Sequence, residues 1–134
     1  MNPARALVAV LIRSAVFLGV ICVVVVVLDH SDSSDPLGAG LLAFFVLVTV
    51  AFAWGLTDGI LRGFLRPLTV WVLTAVVAGI GIPVLLAVRE SDGVLDELRD
   101  GAVFFALLLL VPAVIGVGIG SIFHRLGDRP TTTA

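Results

Sequence analysis

The sequence predicts an all-α membrane protein, a bundle of four transmembrane helices with both termini on the cytoplasmic side. Three observations carry this. Of 134 residues, 60% are hydrophobic and only 13% charged, where a soluble domain is typically about half apolar and about a quarter charged. The apolar residues fall into four blocks, each long enough to cross a hydrocarbon core that needs roughly 20 helical residues. The arginines lie six to two on alternate sides of those blocks, the asymmetry that sets orientation.

The first span runs from about Ala6 to Leu28 and the second from Pro36 to Asp58. The third covers about Pro67 to Val88 and the fourth Gly101 to Phe123. Without water in the membrane core, each segment must satisfy its own backbone, which dictates helix. Local signals mark the ends. Asp35-Pro36 places a capping carboxylate before a proline, and Arg66-Pro67 repeats the proline at a helix start. Asp100-Gly101 reads as the cap of the fourth helix, and His124, Arg125 and Gly127 as a cationic last turn and a stop. Arg5 and Arg13 ahead of an apolar run resemble a signal peptide, but no small-x-small cleavage site follows Leu28, so the run is read as an uncleaved helix. Within the last loop, Val94, Leu95 and Leu98 alternate with acids and suggest a turn of interfacial helix, while the tail Thr131–Ala134 reads as disordered. The whole chain, 1–134, forms one membrane domain.

Arg5, Arg13, Arg62, Arg66, Arg125 and Arg129 fall on one side, and Arg89 and Arg99 on the other. The positive-inside bias makes the first side cytoplasmic. The acids mirror this, with Asp29, Asp32 and Asp35 in one outer loop and Glu90, Asp92, Asp96, Glu97 and Asp100 in the other. Trp54 and Trp71, towards the inner ends of their helices, are placed as interfacial anchors. The expected location is the cytoplasmic membrane of a bacterium, with the lipid bilayer as partner. A homo-oligomer or a larger membrane complex is a further expectation.

Several functions are disfavoured. The chain lacks lysine and its arginines are scattered, so it presents no nucleic-acid-binding face. The lone Cys22 has no CxxC partner and reads as a small hydrophobe. His30 among Asp29, Asp32 and Asp35 lacks the spacing of a dedicated metal site. No nucleophile–base motif, HExxH or phosphate-cradling glycine loop is visible. Neither catalysis, nor a cofactor, nor a metal is expected.

Two charges stand out. Arg13 lies about one helical turn inside the inner hydrocarbon boundary, where a charge pairs, snorkels or serves a function. Asp58, near the inner end of the second helix, opposes the macrodipole at a cost of about 0.3–1 kcal/mol. The two offset each other if they meet as a charge pair. The alternative is a snorkelling Arg13, with Asp58 solvated beside Arg62 at i+4. A short loop between helices 1 and 2 argues that they are antiparallel neighbours. In the fourth helix, Pro112 precedes Gly116, Gly118 and Gly120. Proline bends a helix and a GxxxG spacing admits close approach, so this helix is expected to be the close-packing one or a hinge. Gly79, Gly81 and Pro83 repeat the pattern more weakly.

Trp54-Gly55-Leu56-Thr57-Asp58-Gly59, Arg13 within the first helix, and the final block from Glu97-Leu98 through Phe104-Phe105 and Val111-Pro112 to Gly120 resemble small bacterial four-helix membrane proteins, common in actinobacteria, that are classed as drug/metabolite transporter-like. The resemblance implies a bundle related to half of a larger drug/metabolite carrier. Small multidrug exporters need a carboxylate in the first helix, and here that helix holds only Arg13, which suits a small polar, anionic or zwitterionic solute better. The competing expectation is a non-catalytic accessory or scaffold subunit that packs through the fourth helix.

Overall fold

A computed structural model of the chain describes residues 2–30, 36–90 and 94–128. The described residues form α1 (Pro3–His30), α2 (Pro36–Arg62), α3 (Leu65–Glu90) and α4 (Val94–Gly127). At 1.5 Å per residue even the shortest, α3, reaches roughly 39 Å, longer than a hydrocarbon core of about 30 Å. All four are long and apolar enough to cross a membrane. The run Val23–Val27 in α1 shows the force of that solvent. Five consecutive valines favour strand in water, yet they are helical here, since only a helix satisfies every backbone group within its own segment.

The ends extend beyond the expected spans. α2 continues one turn past Asp58 and stops at Gly63, whose φ of 75° is the left-handed conformation of a helix terminator. The Gly63 N–H donates to the Gly59 carbonyl at 3.1 Å. α3 then starts at Leu65, which puts Pro67 in the first turn, where its missing N–H costs nothing. The largest correction is α4, which begins at Val94. The expected interfacial turn is continuous with the span, and Asp100-Gly101 is no cap. Gly101 serves a packing purpose instead: a Cβ there would stand 3.1 Å from the Pro83 ring. α4 runs unbroken through Pro112. Asp32, Asp35, Asp92, Arg129 and the tail 131–134 lie outside the described residues.

Packing order departs from chain order. α2 lies chiefly on α4, α4 also on α3, and α3 on α1, whereas α1 and α2 barely touch. The expectation that a short connection makes α1 and α2 close neighbours is therefore wrong; contact follows the small residues. Gly55 and Gly59 of α2 meet Ala113, Gly116, Val117 and Gly120 of α4 backbone to backbone. A Cβ on Gly59 would stand 2.9 Å from the Val117 Cα, and one on Gly116 or Gly120 2.8 Å from the Leu56 or Ile60 nitrogen. Lipid tails are as apolar as leucine, so helices associate in a membrane through this close van der Waals fit. Gly118 does not share in it, for a Cβ there would meet nothing within 4 Å. Gly79 repeats the device against Ala106, joining α3 to α4.

The separation of α1 from α2 leaves an apolar cavity of about 820 Å³ at the end of the bundle away from the termini, walled by residues such as Val25, Leu41, Phe44 and Phe105. Ile21 and Leu47 belong both to this wall and to the core. Below them the core closes around Phe17, Ala51, Trp71, Ala113 and Val117. At this end Arg89 of α3 pairs with Asp29 of α1.

Candidate functional site: a buried arginine and its aspartate

α1 buries Val10, Arg13, Ser14, Phe17 and Ile21, spacings of three and four residues that define one helical face. Arg13 is on that face, so its side chain enters the bundle. It lies ten residues beyond Pro3, about 15 Å along the axis. Asp58 lies four residues short of the end of α2, nearer the termini. The Cα–Cβ bonds of a helix tilt towards its N-terminus, which directs the long Arg13 stem down to the level of Asp58.

The two residues pair directly, Arg13 Nη2 donating to Asp58 Oδ2. Arg13 is 3% exposed and Asp58 5%. A snorkelling arginine would keep its head in water or headgroups, and this one does not. The contact uses one guanidinium nitrogen and one carboxylate oxygen rather than the two-pronged fork open to this pair. The other oxygen, Oδ1, has Arg62 Nη1 at 4.0 Å. Asp58 thus faces both candidate partners, the buried one closely and the half-exposed one at the limit of an ion pair.

Trp71 completes the site, and its role was not legible in the sequence. It is fully buried, and its indole N–H donates to Asp58 Oδ2 at 3.1 Å. Expected as an interfacial anchor, it is instead the centre of an aromatic cage. The Arg13 guanidinium carbon stands 4.9 Å from the Trp71 ring centroid and 5.5 Å from that of Trp54. The two indoles meet edge to face at 6.3 Å, and Phe17 approaches Trp71 at 6.1 Å. The negative faces of the rings attract the cation, so Arg13 receives stabilisation from aromatic quadrupoles as well as from a carboxylate. On α3 Trp71 shares its buried face with Thr74, Ala75, Ala78 and Ile82; the small residues Thr74, Ala75 and Ala78 at helical spacing from it are the faint sequence trace of that face. Among the described residues, Arg13 Nη1 and Ser14 Oγ are buried without a hydrogen-bond partner. The cation therefore keeps a donor in reserve, with a hydroxyl on the adjacent residue.

The remaining expected site residues divide by role. Gly55 and Gly59 form the α2 side of the glycine seam, and Trp54 lies over the guanidinium. Gly116 and Gly120 form the α4 side, Pro112 and Ala113 are buried on the same helix, and Gly118 faces away. Among the described residues no three His, Cys, Asp or Glu side chains gather where they could hold a metal. His30 directs Nδ1 to the Val26 carbonyl at 2.8 Å, and Asp29 engages Arg89.

Chemically, the site is a cation held inside a bundle of four long apolar helices by one carboxylate and two indoles. Such a group can bind an anion in exchange for Asp58, or it can lock α1 to the rest of the bundle. No known family model, curated protein or solved structure matches the chain.

Proposed function

We propose that the chain is a multi-pass protein of a bacterial cytoplasmic membrane, without catalytic activity, and a transporter-like unit for small polar or anionic solutes. Arg13 is the solute-binding charge and Asp58 its resting counter-ion. The observation that carries this reading is the buried guanidinium with a nitrogen, Nη1, free of any hydrogen-bond partner among the described residues. Intramembrane charges of this kind mark substrate or ion pathways. The surroundings support it. The helix that carries Arg13 barely touches the helix that carries Asp58.

Flux into proteoliposomes tests it, with radiolabelled inorganic phosphate and glutamate as probes. At least one should enter above the protein-free leak, and Arg13→Gln, checked for a monodisperse bundle, should remove most of the excess. Absence of flux for both probes, or flux indifferent to Arg13, would reject the reading.

The six-to-two arginine asymmetry supports cytoplasmic termini. In a Cys22→Ser background, single cysteines at Ser33 and Gly93 should label in whole cells with an impermeant thiol reagent, and one at Thr132 should not. Labelling at Thr132 would reverse the orientation.

The second reading, an accessory or scaffold subunit, has one observation in its favour: the apolar groove between α1 and α2. Gly116 and Gly120, through which such a subunit was expected to grip its partner, are already occupied by α2. A partner would have to use the groove or the open face at Gly118. Co-isolation with a larger complex, together with absent flux, would favour this reading.

A further inference from the structure

A second polar site lies at the end of the bundle that holds the termini. The ends of all four helices surround a cavity of about 520 Å³, lined by Arg5 and Ala9 of α1, Leu61 and Arg62 of α2, Arg66 and Val70 of α3, and His124 of α4. Three arginines from three helices therefore line one opening, in a chain whose net charge is −2. Neighbouring like charges around one opening create a positive potential that attracts an anion. Asp58 does not neutralise them, because its closest partners are Arg13 and Trp71 and its 4.0 Å contact reaches Arg62 alone. Among the described residues no carboxylate pairs with Arg5 or Arg66.

The other groups at the opening suit an anion as well. Arg66 stands in the first turn of α3, where backbone N–H groups and the helix dipole add positive potential. The His124 Nδ1–H donates to the Ile60 carbonyl at 2.9 Å, which fixes the ring at the rim. Its Nε2 has Asp128 at 3.5 Å, so that with Asp58 beside Arg62 two acids stand near this lining among the described residues. Leu61, 68% exposed, flanks the arginines with apolar surface.

We infer that this opening is a binding site for a phosphate group, held by Arg5, Arg62 and Arg66. Guanidinium forks match tetrahedral oxyanions through paired N–H donors. Basic pockets between membrane helices on the side of the positive loops take phosphate headgroups in this way. The phosphate arrives either on an anionic phospholipid or as a free ion. The inference is independent of the transport reading, since it concerns occupancy of the opening and not passage through Arg13.

The test uses the full chain in a neutral detergent, with two probes. In the first arm, native mass spectrometry counts phosphatidylglycerol molecules retained per protein, against phosphatidylcholine as control. In the second, inorganic phosphate is titrated while thermal unfolding is followed by tryptophan fluorescence, with chloride at equal ionic strength as control. The site requires selective retention of phosphatidylglycerol, or selective stabilisation by phosphate; the first identifies a lipid headgroup and the second a free ion. Arg5→Gln/Arg66→Gln should weaken the effect about fivefold or more, as expected for losing two charge-assisted contacts at a partly exposed site. Arg89→Gln/Arg99→Gln should leave it unchanged. The single variant Arg5→Gln, at an exposed position, guards against a folding artefact and should give part of the same loss. Absence of selectivity in both arms, or equal sensitivity to Arg89 and Arg99, overturns the site.

Discussion

Leucine at Gly59 or Gly116 should disrupt the bundle, while leucine at Gly19 or Gly118 should be tolerated. The α2–α4 seam has backbone facing backbone, so even a single added carbon at Gly59 would stand 2.9 Å from the Val117 Cα. Neither helix can yield as a flexible side chain would, and relief requires the helices to part. Overpacking of an ordinary core costs about 1–3 kcal/mol; loss of the seam should exceed that, because close fit is the main force between membrane helices. The controls isolate the cause. Gly19 and Gly118 have nothing within 4 Å of an added Cβ, so they carry the same chemical change without the clash. Thermal unfolding in detergent, read with size-exclusion profiles, should show early aggregation for the seam variants and near-wild-type behaviour for the controls. Equal damage at Gly118 and Gly116 would refute the seam.

The second large effect concerns Arg13. Arg13→Ala should destabilise the protein by about 2 kcal/mol, and Asp58→Ala by a similar amount or more. A loss of that size lies between two limits. Breaking a buried ion pair in a soluble interior costs about 3–5 kcal/mol, mostly because the orphaned charge stays buried. Polar couplings between membrane helices average only about 0.6 kcal/mol, since unfolded helices in a bilayer find other partners. Here Arg13 lies inside the bundle at 3% exposure, which favours a value above that average. Asp58→Ala should be the worse change. It strands both the guanidinium and the Trp71 N–H, whereas Arg13→Ala leaves Asp58 with Trp71 and with Arg62 at 4.0 Å.

What the sequence disclosed follows from the solvent. Four apolar blocks announce four spans because the hydrocarbon thickness imposes a length, and Arg13 stands out because charge is rare at that depth. Asp58 was recognisable as its partner through its depth and its place against the helix dipole, although the close packing of α1 on α2 assumed in that pairing is absent. The neighbour relations were not recognisable in the same way. In water, polarity marks the outer face of a helix; in lipid both faces are apolar, and the contact face is marked by residue size. The glycine spacing in α4 was therefore informative, while Gly55-xxx-Gly59, the matching half on α2, was read only as part of an inner-end motif. Trp71 illustrates the same ambiguity. Tryptophan near a span end is commonly an anchor, and only its packing against Phe17 and its bond to Asp58 reveal a core residue. The early start of α4 at Val94 was hidden because its acids mark the membrane boundary, and a helix can continue past that boundary into water.

Arg13 and Asp58, paired inside the bundle, are expected to act as one unit. A double-mutant cycle measures that most directly, with Arg13→Ala, Asp58→Ala and the double variant compared by unfolding free energy in one detergent. The two single changes should each be costly, and the double variant should cost less than their sum by about 1–2 kcal/mol, within the range measured for neighbours that share a contact. Strict additivity would contradict the account: each charge would then be stabilised by its own surroundings, the aromatic cage for Arg13 and Trp71 with Arg62 for Asp58, and the pair would lose its standing as the site.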